Sequence, residues 1–147
     1  MSQFTVSVLI NRSQQDVFDF LSDAANFQRW MPMMQSAAWT SSGQPGVGST
    51  GKGIMKMAGR EMVLQLEITQ WDEANRLGFK ILNSPFPLKA LEYVYSMEPE
   101  NGRTRLTQDG EFEMVRFLKF AAGPMGNMYV NSNQKELNNV KQLLEGS

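Results

Sequence analysis

The chain has 147 residues, 41% of them apolar and 20% charged, with a net charge of −1. This is the size of one domain with one real core, and it carries no broad basic field to attract nucleic acid or an anionic membrane. Histidine and cysteine are both absent, so disulfides, thiolate nucleophiles, Ser-His-Asp triads and HExxH metal sites are all excluded.

The first eleven residues have no basic n-region and no apolar h-region, so no signal peptide is expected and the cytoplasm is the expected compartment. Phe4, Val6, Val8 and Ile10 alternate with Thr5, Ser7 and Leu9, the pattern of a strand with one apolar face. Ser13 with Asp16 three residues on reads as a helix N-cap, and Val17, Phe18, Phe20 and Leu21 follow at helical spacing. Ala24 to Trp30 predicts a second short helix, stopped by Pro32.

Strand patterns then continue to residue 114. Gln35 to Thr40 is followed by a Gly/Pro/Ser loop from Ser41 to Gly48. Gly53, Met55 and Met57 alternate with Ile54, Lys56 and Ala58, and Gly59-Arg60 is the expected turn. Met62, Leu64, Leu66 and Ile68 form the clearest half-buried strand. Leu77, Phe79 and Ile81 come next, then a loop over Asn83 to Pro87. Leu91, Tyr93, Tyr95 and Met97 lead through an Asn101-Gly102 hairpin signal to Leu106, Gln108, Gly110, Phe112 and Met114. Tight turns between successive strands imply an antiparallel meander whose apolar face must be covered.

The cover is the stretch from Phe117 to Glu145, whose pattern is helical, with Pro124 expected to kink or divide it. Met125, Tyr129, Val140, Leu143 and Leu144 share one face of that helix. Asn133 and Glu136 intrude on the same sector, and Gln108 intrudes on the apolar side of its strand. A buried polar group needs a partner in protein, water or ligand. Glu136 is expected to reach solvent at the helix edge, whereas Asn133 and Gln108 are open to either a structural or a ligand-orienting role.

Two further motifs have competing readings. Gly46 to Gly53 resembles a phosphate-binding loop but lacks the hydroxyl residue after Lys52 and precedes an alternating strand rather than a helix. It is read as a glycine-rich strand start. Arg116 and Lys119 lie among Phe117, Leu118 and Phe120. They are read as a helix start with one packed face and two solvated charges, the competing reading being a surface that docks on a membrane during ligand transfer.

Several phrases occur in a telling order: Val17 to Asp23, Asn26-Phe27, Trp30-Met31-Pro32, Gly46 to Ser49, Glu67 to Asp72, Asn75 to Phe79, Gly102 to Thr107 and Val140 to Glu145. Together they resemble the SRPBCC superfamily, which includes START-like, birch-pollen-allergen-like and polyketide cyclase/dehydrase-like domains. The resemblance covers essentially the whole chain. It implies one α+β domain over residues 1–147 with the helix-grip fold: a seven-stranded, curved antiparallel sheet wrapped around a long C-terminal helix, with two short helices between strands 1 and 2. It also implies an internal hydrophobic cavity. No metal is expected, since histidine is absent and no spaced acidic loop is present, and no cofactor is expected. No family catalytic motif is matched.

On that frame the expected ligand-binding residues are Trp30, read either as a lip over the cavity mouth or as a hydrophobic plug that closes the core, Met55, Met57, Leu64, Leu66, Phe79 and Phe112 on the sheet, and Phe86 at the mouth. Tyr93, Tyr95 and Gln108, with Met125, Tyr129 and Asn133 on the helix, complete the set. The expected function is binding or transport of a hydrophobic small molecule by a monomer or homodimer, with no nucleic-acid partner and no stable membrane insertion. The alternatives are a cyclase or dehydratase using cavity Tyr or Glu136, and a protein-interaction or stress-response module with a filled core.

Overall fold

In a computed structural model, residues 1–146 are described; Ser147, the last residue of the expected domain, lies outside them. The alternating N-terminal segment forms β1 (Ser2–Ile10), with Phe4, Val6, Val8 and Ile10 buried. The chain then enters α1 (Gln14–Ser22), where the Asp16 amide donates to Ser13 Oγ at 3.1 Å. That bond satisfies one of the orphan donors of the first turn. The same helix buries Val17, Phe18, Phe20 and Leu21. A short 3₁₀ turn, Ala24–Asn26, is capped by Asp23 and leads into α2 (Phe27–Trp30).

Six strands follow: β2 (Met34–Trp39), β3 (Thr50–Met57), β4 (Arg60–Asp72), β5 (Arg76–Ile81), β6 (Leu88–Glu100) and β7 (Arg103–Met114). With β1 they make one antiparallel sheet in the order β1-β7-β6-β5-β4-β3-β2. Asn101 and Gly102 both have positive φ, 53° and 79°, as the hairpin signal requires. The turn expected at Gly59-Arg60 lies one residue earlier. Ala58 and Gly59 take φ of 50° and 78°, and Arg60 already pairs with Met57. Irregular pairing within β2–β3, β4–β5 and β6–β7 supplies the bends by which a sheet curves.

The glycine-rich segment runs into β3 rather than a helix, which removes the phosphate-loop reading. Its glycines make space. A Cβ on Gly51 would lie 2.9 Å from the Trp39 ring, and one on Gly53 would lie 2.6 Å from Met34 Sδ. At Gly110 the same absence admits the Phe4 ring, which stacks on Tyr129 at 5.2 Å.

The C-terminal cover is divided as expected, but not at the proline. A 3₁₀ segment, Arg116–Ala121, precedes α3 (Ala122–Glu145). Pro124 therefore falls in the first turn of α3, where its missing N–H removes no helical bond. The helix runs along β1, an edge strand, and touches α2. Polar side chains hold it there. Gln134 Nε2 donates to the Ser7 carbonyl at 3.0 Å and Lys141 Nζ to the Leu9 carbonyl at 2.7 Å. Asn139 Nδ2 donates to the Trp30 carbonyl at 3.1 Å. The free edge of β1, which would otherwise invite strand addition, is thereby covered. Among the described residues no helix is long and apolar enough to cross a membrane.

Candidate functional site

Strand alternation aims Leu91, Tyr93, Tyr95 and Met97 of β6 at the same side as Leu106, Gln108, Gly110 and Phe112 of β7. Pairing sets Gln108 across from Tyr95 and Gly110 across from Tyr93. On α3, Tyr129, Asn133 and Glu136 fall on one face at spacings of four and three residues. Trp30 closes the assembly from α2, its ring edge-on to Tyr95 at 6.2 Å. Phe79 of β5 lies between Tyr95, at 6.0 Å, and Trp39, at 6.3 Å.

The polar groups within this aromatic shell are incompletely satisfied. Gln108 Nε2 donates to the Tyr95 hydroxyl at 2.9 Å. Among the described residues, three buried atoms have no protein partner: Gln108 Oε1, Asn133 Nδ2 and Trp30 Nε1. Asn133 is near enough to the Tyr93 hydroxyl to lower its pKa a little against the larger rise from burial, yet its amide nitrogen makes no well-formed bond. Each unsatisfied buried group costs about 1–3 kcal/mol. These atoms are an acceptor and two donors set on three different elements.

Glu136 departs from expectation. Instead of reaching solvent freely, its carboxyl is desolvated, and burial pushes its pKa up to about 7. The residue retains intermediate exposure overall, so the carboxyl lies at the boundary of the interior rather than in sealed core. Burial also raises Tyr93 and Tyr95 well above the usual phenol range, with Glu136 adding repulsion to both. Burial alone pushes Tyr129 up to about 12. All three tyrosines are thus neutral hydroxyls at ordinary pH, able to donate and accept.

The expected site residues separate into three groups. Trp30, Leu66, Phe79, Tyr95, Gln108, Phe112 and Asn133 are buried on the inner face. Met55, Leu64, Tyr93, Met125 and Tyr129 also pack against the core but keep partial exposure. Met57, at 43% exposure, and Phe86, at 72%, lie outside the interior. Met57 is the last residue of β3, beside the turn. Phe86 meets Phe117 at 6.3 Å in place of core residues. Two depressions open at the start of α3. One, of about 390 Å³, is lined by Phe4, Phe112, Gly126 and Val130 among others; the second, of about 290 Å³, includes Met114, Lys119 and Ala122. Sequence reasoning missed most of these lining residues, because small residues such as Gly126 announce no chemistry. Among the described residues no cluster of three or more carboxylates could hold a metal ion.

A family model described as polyketide cyclase / dehydrase and lipid transport matches residues 1–145. No curated protein matches the sequence. Among solved structures, the di-domain ARO/CYC protein BexL is similar over 99% of this chain, at 15% identity and a TM-score of 0.84; this chain spans 47% of that one. The Zhui aromatase/cyclase from a Streptomyces species has 15% identity and a TM-score of 0.79, covering 98% of this chain and 93% of its own. TTHA0849 from Thermus thermophilus has 15% identity and a TM-score of 0.79, with 99% of each chain covered. At these identities the likeness is one of fold, and it is the helix-grip fold.

The Glu136 shift has a definite consequence for stability. Its folded pKa, about 7, exceeds the ordinary 4.5, so between those values the folded state binds more protons than the unfolded one. Its contribution therefore favours folding at low pH and is lost as pH rises through 7. Glu136→Gln should remove this loss, making the variant more stable than the parent by about 2 kcal/mol at pH 8 and nearly equal to it at pH 4.5. Urea denaturation at the two pH values measures the difference; equal stabilities at pH 8 would mean that the carboxyl is well solvated.

Proposed function

The chain belongs to the polyketide cyclase/dehydrase and lipid transport family, and we propose that it binds a hydrophobic small molecule, lipid-, sterol- or polyketide-like, between the sheet and α3. The observation that carries this reading is the trio of unpartnered buried polar atoms on Trp30, Gln108 and Asn133. A ligand with a polar end, both donor and acceptor, would satisfy them, and its apolar body would lie along the partly exposed Met55, Leu64, Met125 and Tyr129.

Magnitudes divide the labour. Burying about 200 Å² of apolar surface is worth roughly 5 kcal/mol, which sets affinity. Each buried hydrogen bond to the polar end, worth about 1–3 kcal/mol when its loss strands a group, sets orientation and selectivity. Asn133→Leu removes one unpartnered donor, so the free protein should keep its stability within about 1 kcal/mol while binding a hydroxylated aromatic or sterol about tenfold or more weakly. Thermal-shift titration across lipids, sterols and aromatic polyketides reads both effects; a panel in which no compound raises the melting temperature would overturn the proposal.

The juxtaposition of Glu136 with Tyr93 and Tyr95 favours a second reading, a cyclase or dehydratase. A carboxyl with pKa near 7 is suited to exchange a proton with substrate, and the buried phenols are suited to hydrogen-bond a developing enolate. On this reading Glu136→Gln lowers turnover of a poly-β-ketone by about a hundredfold or more without weakening its binding. Undiminished turnover in the variant would remove Glu136 from the chemistry.

A further inference from the structure

The 3₁₀ segment Arg116–Ala121 has a geometry that its sequence alone does not disclose. With three residues per turn, side chains three apart eclipse. Three rows result. Leu118 and Ala121 pack against the core. Phe117 and Phe120 form a second row, and both are exposed, at 72% and 82%. Arg116 and Lys119 form the third, also exposed, and neither is in an ion pair among the described residues. Phe86, on the loop before β6, extends the aromatic row: its ring is 6.3 Å from that of Phe117. The loop is fixed to this segment's start by the Val115 amide, which donates to the Pro87 carbonyl at 2.9 Å.

We infer that this surface docks reversibly on an anionic lipid bilayer, with Phe86, Phe117 and Phe120 entering the interface and Arg116 and Lys119 meeting the headgroups. Three large aromatics presented together are costly to keep in water and suit the boundary between headgroups and acyl chains. The adjacent cationic row specifies the charge of the surface they meet. The same row disfavours a second copy of the chain, since a two-fold contact through this small patch brings Arg116 and Lys119 toward their own equivalents. The chain's net charge of −1 makes the attraction local rather than global. Docking here also brings a membrane to the smaller depression, whose wall includes Lys119 and Ala122. An apolar molecule could then pass between bilayer and protein with little exposure to water.

Co-sedimentation of the full chain with vesicles tests the inference. The probes are phosphatidylcholine alone and phosphatidylcholine with about 30 mol % phosphatidylglycerol. The chain should sediment with the anionic vesicles and only weakly with the neutral ones. Phe117→Ser/Phe120→Ser should reduce sedimentation about tenfold, and Arg116→Gln/Lys119→Gln should reduce it severalfold and flatten its salt dependence. Both variants should keep the parental melting temperature, because the altered side chains are exposed, and the aromatic variant, whose altered residues line neither depression, should retain any small-molecule binding, which separates this inference from the ligand reading. No sedimentation with either vesicle would overturn it. So would equal sedimentation of the aromatic variant, or equal sedimentation on neutral and anionic vesicles. A parent that dimerises without binding vesicles, and whose aromatic variant is monomeric, would overturn it in favour of a second copy.

Discussion

The attachment of α3 to the free edge of β1 determines what the interior contains. Gln134 and Lys141 each donate to a β1 carbonyl, and Glu145 closes the arrangement by accepting from Lys141 Nζ and from the Asn11 amide, each at 2.8 Å. These two bonds hold the Glu145 carboxyl below its ordinary pKa. Together they fix both the translation and the rotation of the helix against the sheet. A rotation of one residue, about 100°, would carry Asn133 and Glu136 out of the interior and bring polar neighbours in. The inward carboxyl and amide are therefore imposed by several hydrogen bonds at the helix edge, which offset the cost of leaving polar atoms incompletely satisfied inside.

Around those polar atoms the packing is aromatic. Phe4 occupies the space left by Gly110 and stacks on Tyr129; Trp39 lies over Gly51 and stacks beside Phe79. Edge-to-face and stacked rings contribute directional contacts beyond simple burial. They give the Tyr95–Gln108 pair a rigid setting, so its free acceptor has a defined direction. A rigid shell with a few unsatisfied polar atoms suits recognition of an amphiphilic molecule, whereas flexible methionines at the partly exposed margin, Met55 and Met125, can adapt to its apolar body.

The strands, the two short helices and the long helix are legible in the sequence because period-two alternation, the Ser13 cap and the Asn101-Gly102 turn are local signals. Counting outward from that turn even places Gln108 opposite Tyr95, so the central polar pair can be read from the hairpin. Other features depend on tertiary contacts. Desolvation of Glu136 requires knowing the rotation of α3, which is set by Ser7 and Leu9 more than a hundred residues earlier. Division of the last element before Ala122, rather than at Pro124, follows because a proline fits a first helical turn as well as a break. Phe117 and Phe120 look like core in a helix at 3.6 residues per turn and become a surface row only in a 3₁₀ segment. Alternation and proximity place Met57 and Phe86 inside, but Met57 is the last residue of β3, beside its turn, and Phe86 sits in the loop before β6, so both are exposed.

The claim that the unpartnered atoms of the interior receive a ligand's polar end is tested most directly by nitrogen–proton correlation spectroscopy. The chain has three tryptophans, so the Trp30 indole signal is readily assigned by a Trp30→Phe control. Titration with a hydroxylated aromatic or sterol should shift the Trp30 indole and the Asn133 side-chain amide together, with saturation at one affinity. Shifts confined to Gly126, Val130 and their neighbours at the outer depression, with both interior signals unmoved, would contradict the account.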